Sequence, residues 1–439
     1  MKRSAYKQLV EWKNRKNRKP LIVQGARQVG KTYLINEFGN TEYANHIYLN
    51  FEQDSKLQTL FSEELVPEAI VNNISLYIGK KITSKDTILF FDEIQAAPQV
   101  LTSLKYFQEQ APEFHIIAAG SLLGVSIGKE SSFPVGKVNF LNIFPMSFME
   151  YMIAIGENLL AEKLQAITNP KPMPDAIHKK LLNHLKLFLF LGGMPEVIQD
   201  YINNRDINSA RQLQNDILEA YKRDFSKYTE KNQAIRVSEF WNSIPRQLAK
   251  ENKKFKYNDI RKGARASSFE QSVEWLRKAG LIHVVYNIST PKMPLSAYAD
   301  YSKFKVYMHD VGLLAALLNI SSQLIISPTE IFSEFNGAFI ENFIAQELSY
   351  YQNGQLHYWT SKSDAEVDFV IESEREIYPL EVKSGMNRNI KSLRSFADKY
   401  NSKTIFRISP RNLIQNSDFI NIPLYATNIF INFIKKEHA

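Results

Sequence analysis

Short apolar runs alternate with stretches of helical spacing over the first third of the chain. Leu21-Ile22-Val23, His46 to Phe51, Thr87 to Glu93 and His115 to Gly120 each read as a strand. Ile88-Leu89-Phe90-Phe91 shows no alternation, which fits a central parallel strand covered on both faces. Thr32 to Phe38, Leu57 to Ile78 and residues 98–109 carry apolar positions at helical intervals. Strands alternating with helices predict an α/β core with a parallel sheet. Ahead of it, Tyr6, Leu9, Val10 and Trp12 share one helical face, so residues 1–19 predict a helix packed on that core. Val138 to Pro145 reads as a further strand, and Ser147 is placed to cap a helix through Ile155.

The pattern then changes. Residues 160–175 are richer in Pro and Asn and read as a linker or loop. Helical segments continue to about residue 230, interrupted by Gly192-Gly193-Met194-Pro195, and read as a lid. Within 236–290, Tyr257 to Gly263 suggests a short helix. Ser267-Ser268-Phe269-Glu270 reads as a capping box opening a helix to Ala279. Gly280 stops it, and Leu281 to Ile288 alternates as a strand. Helix, turn, helix, strand is the outline of a winged helix. Arg261, Lys262, Arg265 and Gln271 would face a major groove, although such modules also bind proteins. After a connection at 291–302, Lys303 to Met308 reads as a strand, with Asp310 capping a helix Val311 to Leu318.

Composition narrows the classes. The chain has 439 residues, 44% hydrophobic and 23% charged, which fits two to four folded domains. Its net charge of +8 and pI of about 9.1 permit a nucleic-acid partner. With no cysteine, disulfides and cysteine-zinc sites are excluded, and the eight histidines lack ligand spacing. No signal peptide is read at the basic N-terminus, and the most apolar stretch, Leu185 to Leu191, is too short to span a bilayer. A cytoplasmic protein without a membrane partner is therefore expected. The basic cluster Lys13 to Lys19 reads as a solvated turn.

Gly25-Ala26-Arg27-Gln28-Val29-Gly30-Lys31-Thr32 is a complete G-x-x-x-x-G-K-[ST] phosphate loop between a strand and a helix. Its backbone N–H groups and the helix N-terminus would cradle the α- and β-phosphates of a nucleotide. Lys31 would reach the β- and γ-phosphates, and Thr32 would hold Mg²⁺. The run ending in Asp92-Glu93 has the Walker B arrangement: Asp92 in the Mg²⁺ shell, Glu93 activating water. Ser121, at another strand end, is a candidate γ-phosphate contact or a cap. Arg211, Arg223 and Arg246 are candidate arginine fingers among which the sequence does not choose.

A second constellation lies near the C-terminus. Glu341 sits on a helix from Phe339 to Tyr350. Leu356 to Thr360, Glu366 to Ile371 and Tyr378 to Lys383 read as strands, Ile390 to Tyr400 as a helix and Lys403 to Ser409 as a strand. Asp368 and Glu381 are thirteen positions apart on adjacent strands, and Glu381 and Lys383 share a face. Two carboxylates brought together this way could hold a divalent metal, with Lys383 beside them and Glu341 completing the shell.

Residues 20–125 resemble the phosphate-loop core of the AAA-type ATPases. The phrases Ile143-Phe144-Pro145-Met146-Ser147-Phe148, Leu191-Gly192-Gly193-Met194-Pro195 and Tyr307-Met308-His309-Asp310-Val311-Gly312-Leu313 extend the likeness. The whole chain resembles a prokaryotic group of such ATPases with a C-terminal domain of unknown function. The helical Glu341, Asp368 and Glu381-x-Lys383 resemble the PD-(D/E)xK nuclease pattern, without the proline before the aspartate. Pattern and resemblance together divide the chain into a P-loop ATPase core over 1–160, a helical lid over 161–235, a winged-helix-like segment over 236–300 and a restriction-endonuclease-like α/β domain over 301–439. ATP and Mg²⁺ are the implied cofactors; DNA, another nucleic acid or a protein is the implied partner. Either an ATPase coupled to a nuclease-like domain or a nucleotide-dependent switch that binds a partner without cleavage fits these features.

Overall fold

The computed structural model describes the chain except residues 62–64, 121–133, 135, 168–170, 251–253, 322–335, 353, 362–364, 374–375, 386–388 and 437–439; at 228, 336 and 436 only the backbone is described. Two compact units emerge: Met1–Phe144 with Lys278–Gly280, and Pro145–Arg277 with Leu281–Ala439.

The first unit is a parallel α/β sheet. Strands β1 (Leu21–Gln24), β2 (Asn45–Asn50), β3 (Thr87–Asp92), β4 (His115–Ala119) and β5 (Asn139–Asn142) lie in the order β2-β3-β4-β1-β5, every pairing parallel. Every residue of β3 is buried, as its unbroken apolar run requires. Helices α1 (Ala5–Lys13), α2 (Lys31–Glu42), α3 (Pro67–Ile78) and α4 (Pro98–Gln110) accompany the sheet. The stretch Leu57 to Ile78 is not one helix. A 3₁₀ turn at Ser55–Phe61 precedes α3, which starts at Pro67, a residue suited to the first helical position. Helix α1 buries Leu9 and Trp12. The basic cluster behind it is used internally: Lys13 pairs with Glu42, Arg18 lies over the Trp12 ring, and Lys19 donates to the Gly136 carbonyl.

The second unit begins with helices α5 (Phe148–Ala154), α6 (Asn158–Gln165), α7 (Asp175–Leu191), α8 (Pro195–Asn204), α9 (Ile207–Tyr228), α10 (Lys231–Leu248) and α11 (Ala266–Lys278). Residues 160–165 are thus helical rather than linker. Helix α11 starts at Ala266, so Ser267 lies inside its first turn and is not the cap. The expected short helix near 257–263 is a 3₁₀ turn at Tyr257–Asp259. Strands β6 (Ile282–Ile288) and β7 (Ala299–Met308) form an antiparallel hairpin. Helices α12 (Val311–Leu317) and α13 (Asn336–Gln352) follow, then β8 (His357–Thr360), β9 (Glu366–Ser373), β10 (Glu376–Val382), α14 (Lys391–Tyr400), β11 (Ile405–Ser409), β12 (Ile414–Gln415), β13 (Phe419–Pro423) and α15 (Thr427–Lys436).

These strands form one eight-stranded mixed sheet, β12-β13-β11-β10-β9-β8-β6-β7. Strand β6 pairs with β8 in parallel, so the hairpin is its edge and β7 runs across the expected boundary at 300. Leu393 and Phe396 of α14 join Trp359, Val367, Val370 and Ile405 in a common core. Among the described residues no single helix is long and apolar enough to cross a membrane.

The phrases singled out in the sequence meet in a polar junction of this unit. The buried Asp310 carboxylate accepts from Leu313 N at 2.9 Å, capping α12, and from Gly193 N at 2.6 Å. The Gly193 carbonyl in turn accepts from Met146 N at 2.6 Å. Ser147 and Glu150 form a capping box at α5, as expected for Ser147.

A second acid serves the same helix start: Glu347 of α13 accepts from Phe148 N at 2.9 Å. Burial, with the Glu150 charge adding to it, pushes Glu347 up to about 8. This carboxyl is raised above its unfolded value, so between about pH 4.5 and 8 the native state keeps a proton that the unfolded chain has lost. Stability should therefore fall as pH rises through that window, by up to about 1.4 kcal/mol per pH unit. Glu347→Gln keeps the acceptor for Phe148 and should flatten the slope in urea unfolding between pH 5 and 8. An unchanged slope would remove Glu347 from this role.

Candidate nucleotide site and C-terminal acid cluster

The phosphate loop connects β1 to α2, and its backbone requires its residue types. Gly25 has φ +149°, and a Cβ there would lie 2.1 Å from the Ile143 carbonyl oxygen. Gly30, at φ +90°, opens α2 from the left-handed region. From α1's start, the Arg3 guanidinium braces the loop, donating to Val29 O at 2.9 Å and Phe144 O at 2.6 Å.

Lys31 and Thr32 emerge beside the end of β3. The buried Lys31 ammonium donates to the Gly25 and Ala26 carbonyls at 3.0 and 2.8 Å. Burial pulls its pKa down to about 8, against the opposing pull of Glu93 and Asp92. Thr32 Oγ1 donates to Asp92 Oδ2 at 3.0 Å. Burial and then the Glu93 charge raise Asp92. Burial disfavours the charge on both the Lys31 ammonium and the Asp92 carboxylate, and a phosphate–metal pair would relieve both. The donor set therefore fits ATP with Mg²⁺. Glu93 follows β3 at φ +52°, and its carboxylate accepts from Gln95.

Two residues unmarked in the sequence belong here. Tyr48 OH donates to Asp92 Oδ2 at 3.1 Å, and Asn50 Nδ2 donates to Tyr48 OH at 3.0 Å. Both sit at the carboxyl end of β2, paired beside β3. Their position at the ligand-binding edge of a parallel sheet was the available signal. Ser121 lies outside the described residues.

Two of the three candidate arginine fingers have internal partners. Arg211 donates to Ile320 O at 3.1 Å and lies over the Phe190 ring, and burial lowers it to about 10. Arg246 donates to the carbonyls of Asp259 and Ile260. Arg223 is exposed.

In the second unit, β9 and β10 pair antiparallel with Phe369 opposite Leu380. Asp368 Oδ2 accepts from Val382 N at 2.8 Å, while Glu381 pairs with Lys383, one residue past the end of β10. Burial raises Glu381, against the opposing pull of Lys383; burial also works against the Lys383 ammonium, but the Glu381 charge and hydrogen bond, with Asp368 and Glu341 behind them, hold it up. Glu341 accepts from Tyr307 OH at 2.9 Å. The four expected residues thus fall in one neighbourhood. The sequence reading missed its centre, the buried Lys305 of β7, which pairs with Glu366, Glu341 and Asp368. A lysine flanked by Phe304 and Val306 on an inner-face strand position was the signal. Among the described residues no group of three or more His, Asp or Glu is arranged to hold a metal ion.

Residues 17–152 match the family model described as an AAA domain. Residues 182–324 and 336–430 match two models described as domains of unknown function. No protein of curated function matches the chain. Among solved structures, a Walker-type ATPase of Pyrococcus abyssi is similar at 16% identity, over 71% of this chain and 94% of that one, with a TM-score of 0.41. The Aeropyrum pernix ORC1 protein in complex with DNA is similar at 12% identity, over 72% and 92%, with a TM-score of 0.30. AMPPCP-bound DnaA from Aquifex aeolicus is similar at 14% identity, over 63% and 88%, with a TM-score of 0.24. The family match, on a five-stranded parallel sheet with its phosphate loop, supports an AAA-type ATPase domain in residues 17–152.

Proposed function

We propose that this protein binds and hydrolyses Mg²⁺-ATP at Gly25–Thr32 and that turnover switches a C-terminal binding module. The observation that carries the reading is Thr32 against Asp92 beside the buried Lys31. Mg²⁺, when bound, would draw charge from the β- and γ-phosphates. Thr32 and Asp92 would hold it, with Tyr48 keeping Asp92 oriented. Ala26, Arg27, Gln28, Val29 and Gly30 would direct their N–H groups at the phosphates, with Gly25 opening the turn. Lys31 would carry the compensating charge, and Glu93 would accept the proton of the attacking water. The test is the pair Lys31→Ala and Glu93→Gln, the first expected to lose binding and the second only turnover.

The C-terminal half is read as a partner-binding module because Lys305 fills the centre of its acid cluster. A nuclease-like reading is supported by the gathering of Glu341, Asp368, Glu381 and Lys383 and assigns metal to Asp368 and Glu381. Metal-dependent DNA cleavage that disappears in Asp368→Ala would establish it; intact DNA with Mg²⁺ and Mn²⁺ is the expected result.

The partner class we favour is nucleic acid, held by charge. Arg261, Lys262 and Arg265 are exposed ahead of α11, and this cluster of positive charge supports the reading. Affinity for duplex DNA should fall steeply with salt and depend little on sequence. A salt-insensitive complex would contradict this.

A further inference from the structure

Three carboxylates of the second unit surround one ammonium that has no accessible surface. Lys305 is 0% exposed, on the interior part of β7. Its Nζ lies 2.5 Å from Glu366 Oε1, 3.8 Å from Glu341 Oε2 and 3.8 Å from Asp368 Oδ1. The Tyr358 ring covers it, its centroid 5.0 Å away. The ammonium holds these acids by charge, without a well-directed hydrogen bond. Nearby, Glu381 is only 5% exposed, and its Oε2 also lacks a hydrogen-bond partner. Carboxylates this close repel one another in a low-dielectric interior unless a cation lies among them. A divalent ion bound by hard oxygen ligands would do the same work. An ammonium and a divalent ion cannot share the place, because their charges repel at contact distance.

We propose that Lys305 is the resident cation of this cluster, occupying the place of a divalent ion, and that removing it opens a divalent-cation site built from Glu341, Glu366 and Asp368. The proposal rests on reading the domain as a binding module. It explains why the acids resemble a metal site in sequence while no three of them, among the described residues, are arranged as one. Lysine is a compact point charge on a long stem, suited to reach such a centre from a neighbouring strand.

The test titrates full-length, nucleotide-free protein with Mn²⁺, following free Mn²⁺ by electron paramagnetic resonance. The forms compared are wild type, Asp368→Asn, Lys305→Met and Lys305→Met/Asp368→Asn, all sharing the same phosphate-loop background. Lys305→Met is expected to gain about one Mn²⁺ per chain over wild type. Adding Asp368→Asn should abolish the gain, and Mn²⁺ should raise the melting temperature of Lys305→Met alone. A folded Lys305→Met without a new site would overturn the proposal, as would a wild-type Mn²⁺ site that Asp368→Asn removes. If Lys305→Met does not fold, Lys305→Gln takes its place, and the wild-type comparison with Asp368→Asn decides in either case. Mn²⁺ bound by wild type without DNA cleavage would overturn the role of Lys305 alone; bound with cleavage, it would overturn the binding-module reading as well.

Discussion

Lys31→Ala should weaken ATP binding by about two to three orders of magnitude, from the loss of about two charge-assisted hydrogen bonds at the lower end of about 1.5–3 kcal/mol each. Neutral carbonyls of Gly25 and Ala26 occupy the ammonium, and burial has lowered its pKa to about 8. Phosphate oxygens would replace these acceptors with negative charge and raise that pKa again. Binding should consequently take up a proton above pH 8. ATP affinity should fall as pH rises past about 8, where the free lysine is increasingly neutral. Calorimetry of ATP binding at several pH values, in buffers of different ionisation enthalpy, reads both effects. Unchanged affinity in Lys31→Ala would refute the assignment of the loop.

Gly193→Ala should be among the most damaging small changes to the second unit. A Cβ at this position would lie 2.2 Å from the Met146 carbonyl oxygen and 2.8 Å from Met146 N. Both are backbone atoms, so no side chain can swing aside. The same residue accepts from Met146 and donates to Asp310, so moving it would also disturb the cap of α12. The cost should reach about 3 kcal/mol or more, the range of strain combined with a broken buried hydrogen-bond network. Urea unfolding followed by circular dichroism measures it. Gly156→Ala is the control: a Cβ there meets nothing within 4 Å, so its cost should be that of φ +90° alone.

What could be read from sequence depended on whether the signal was local. Ile88 to Phe91 announced a buried strand because both faces demand apolar residues, and Gly25 to Thr32 announced its loop because Gly25, Gly30, Lys31 and Thr32 each carry their own constraint. Helix α10 was missed: Pro245 near its end reads as a breaker, although the helix accommodates it. The parallel pairing of Tyr286 with His357 joins segments seventy-one positions apart, and no local pattern encodes it. Asp310 was read correctly as a cap, but its bond to Gly193 required tertiary structure. Lys305 was read only as part of a strand, because the acids that keep it charged lie on α13 and β9.

The most direct measurement is steady-state phosphate release from ATP by wild type and Glu93→Gln, with Mg²⁺ and with EDTA, alongside ATP binding to both proteins. Glu93→Gln would spare the phosphate contacts and remove the carboxylate proposed to take the water's proton. Mg²⁺-dependent turnover by wild type is expected, with turnover lost and binding kept in Glu93→Gln. A wild type that binds no ATP, turnover indifferent to EDTA, or a Glu93→Gln protein that hydrolyses ATP at the wild-type rate would contradict it.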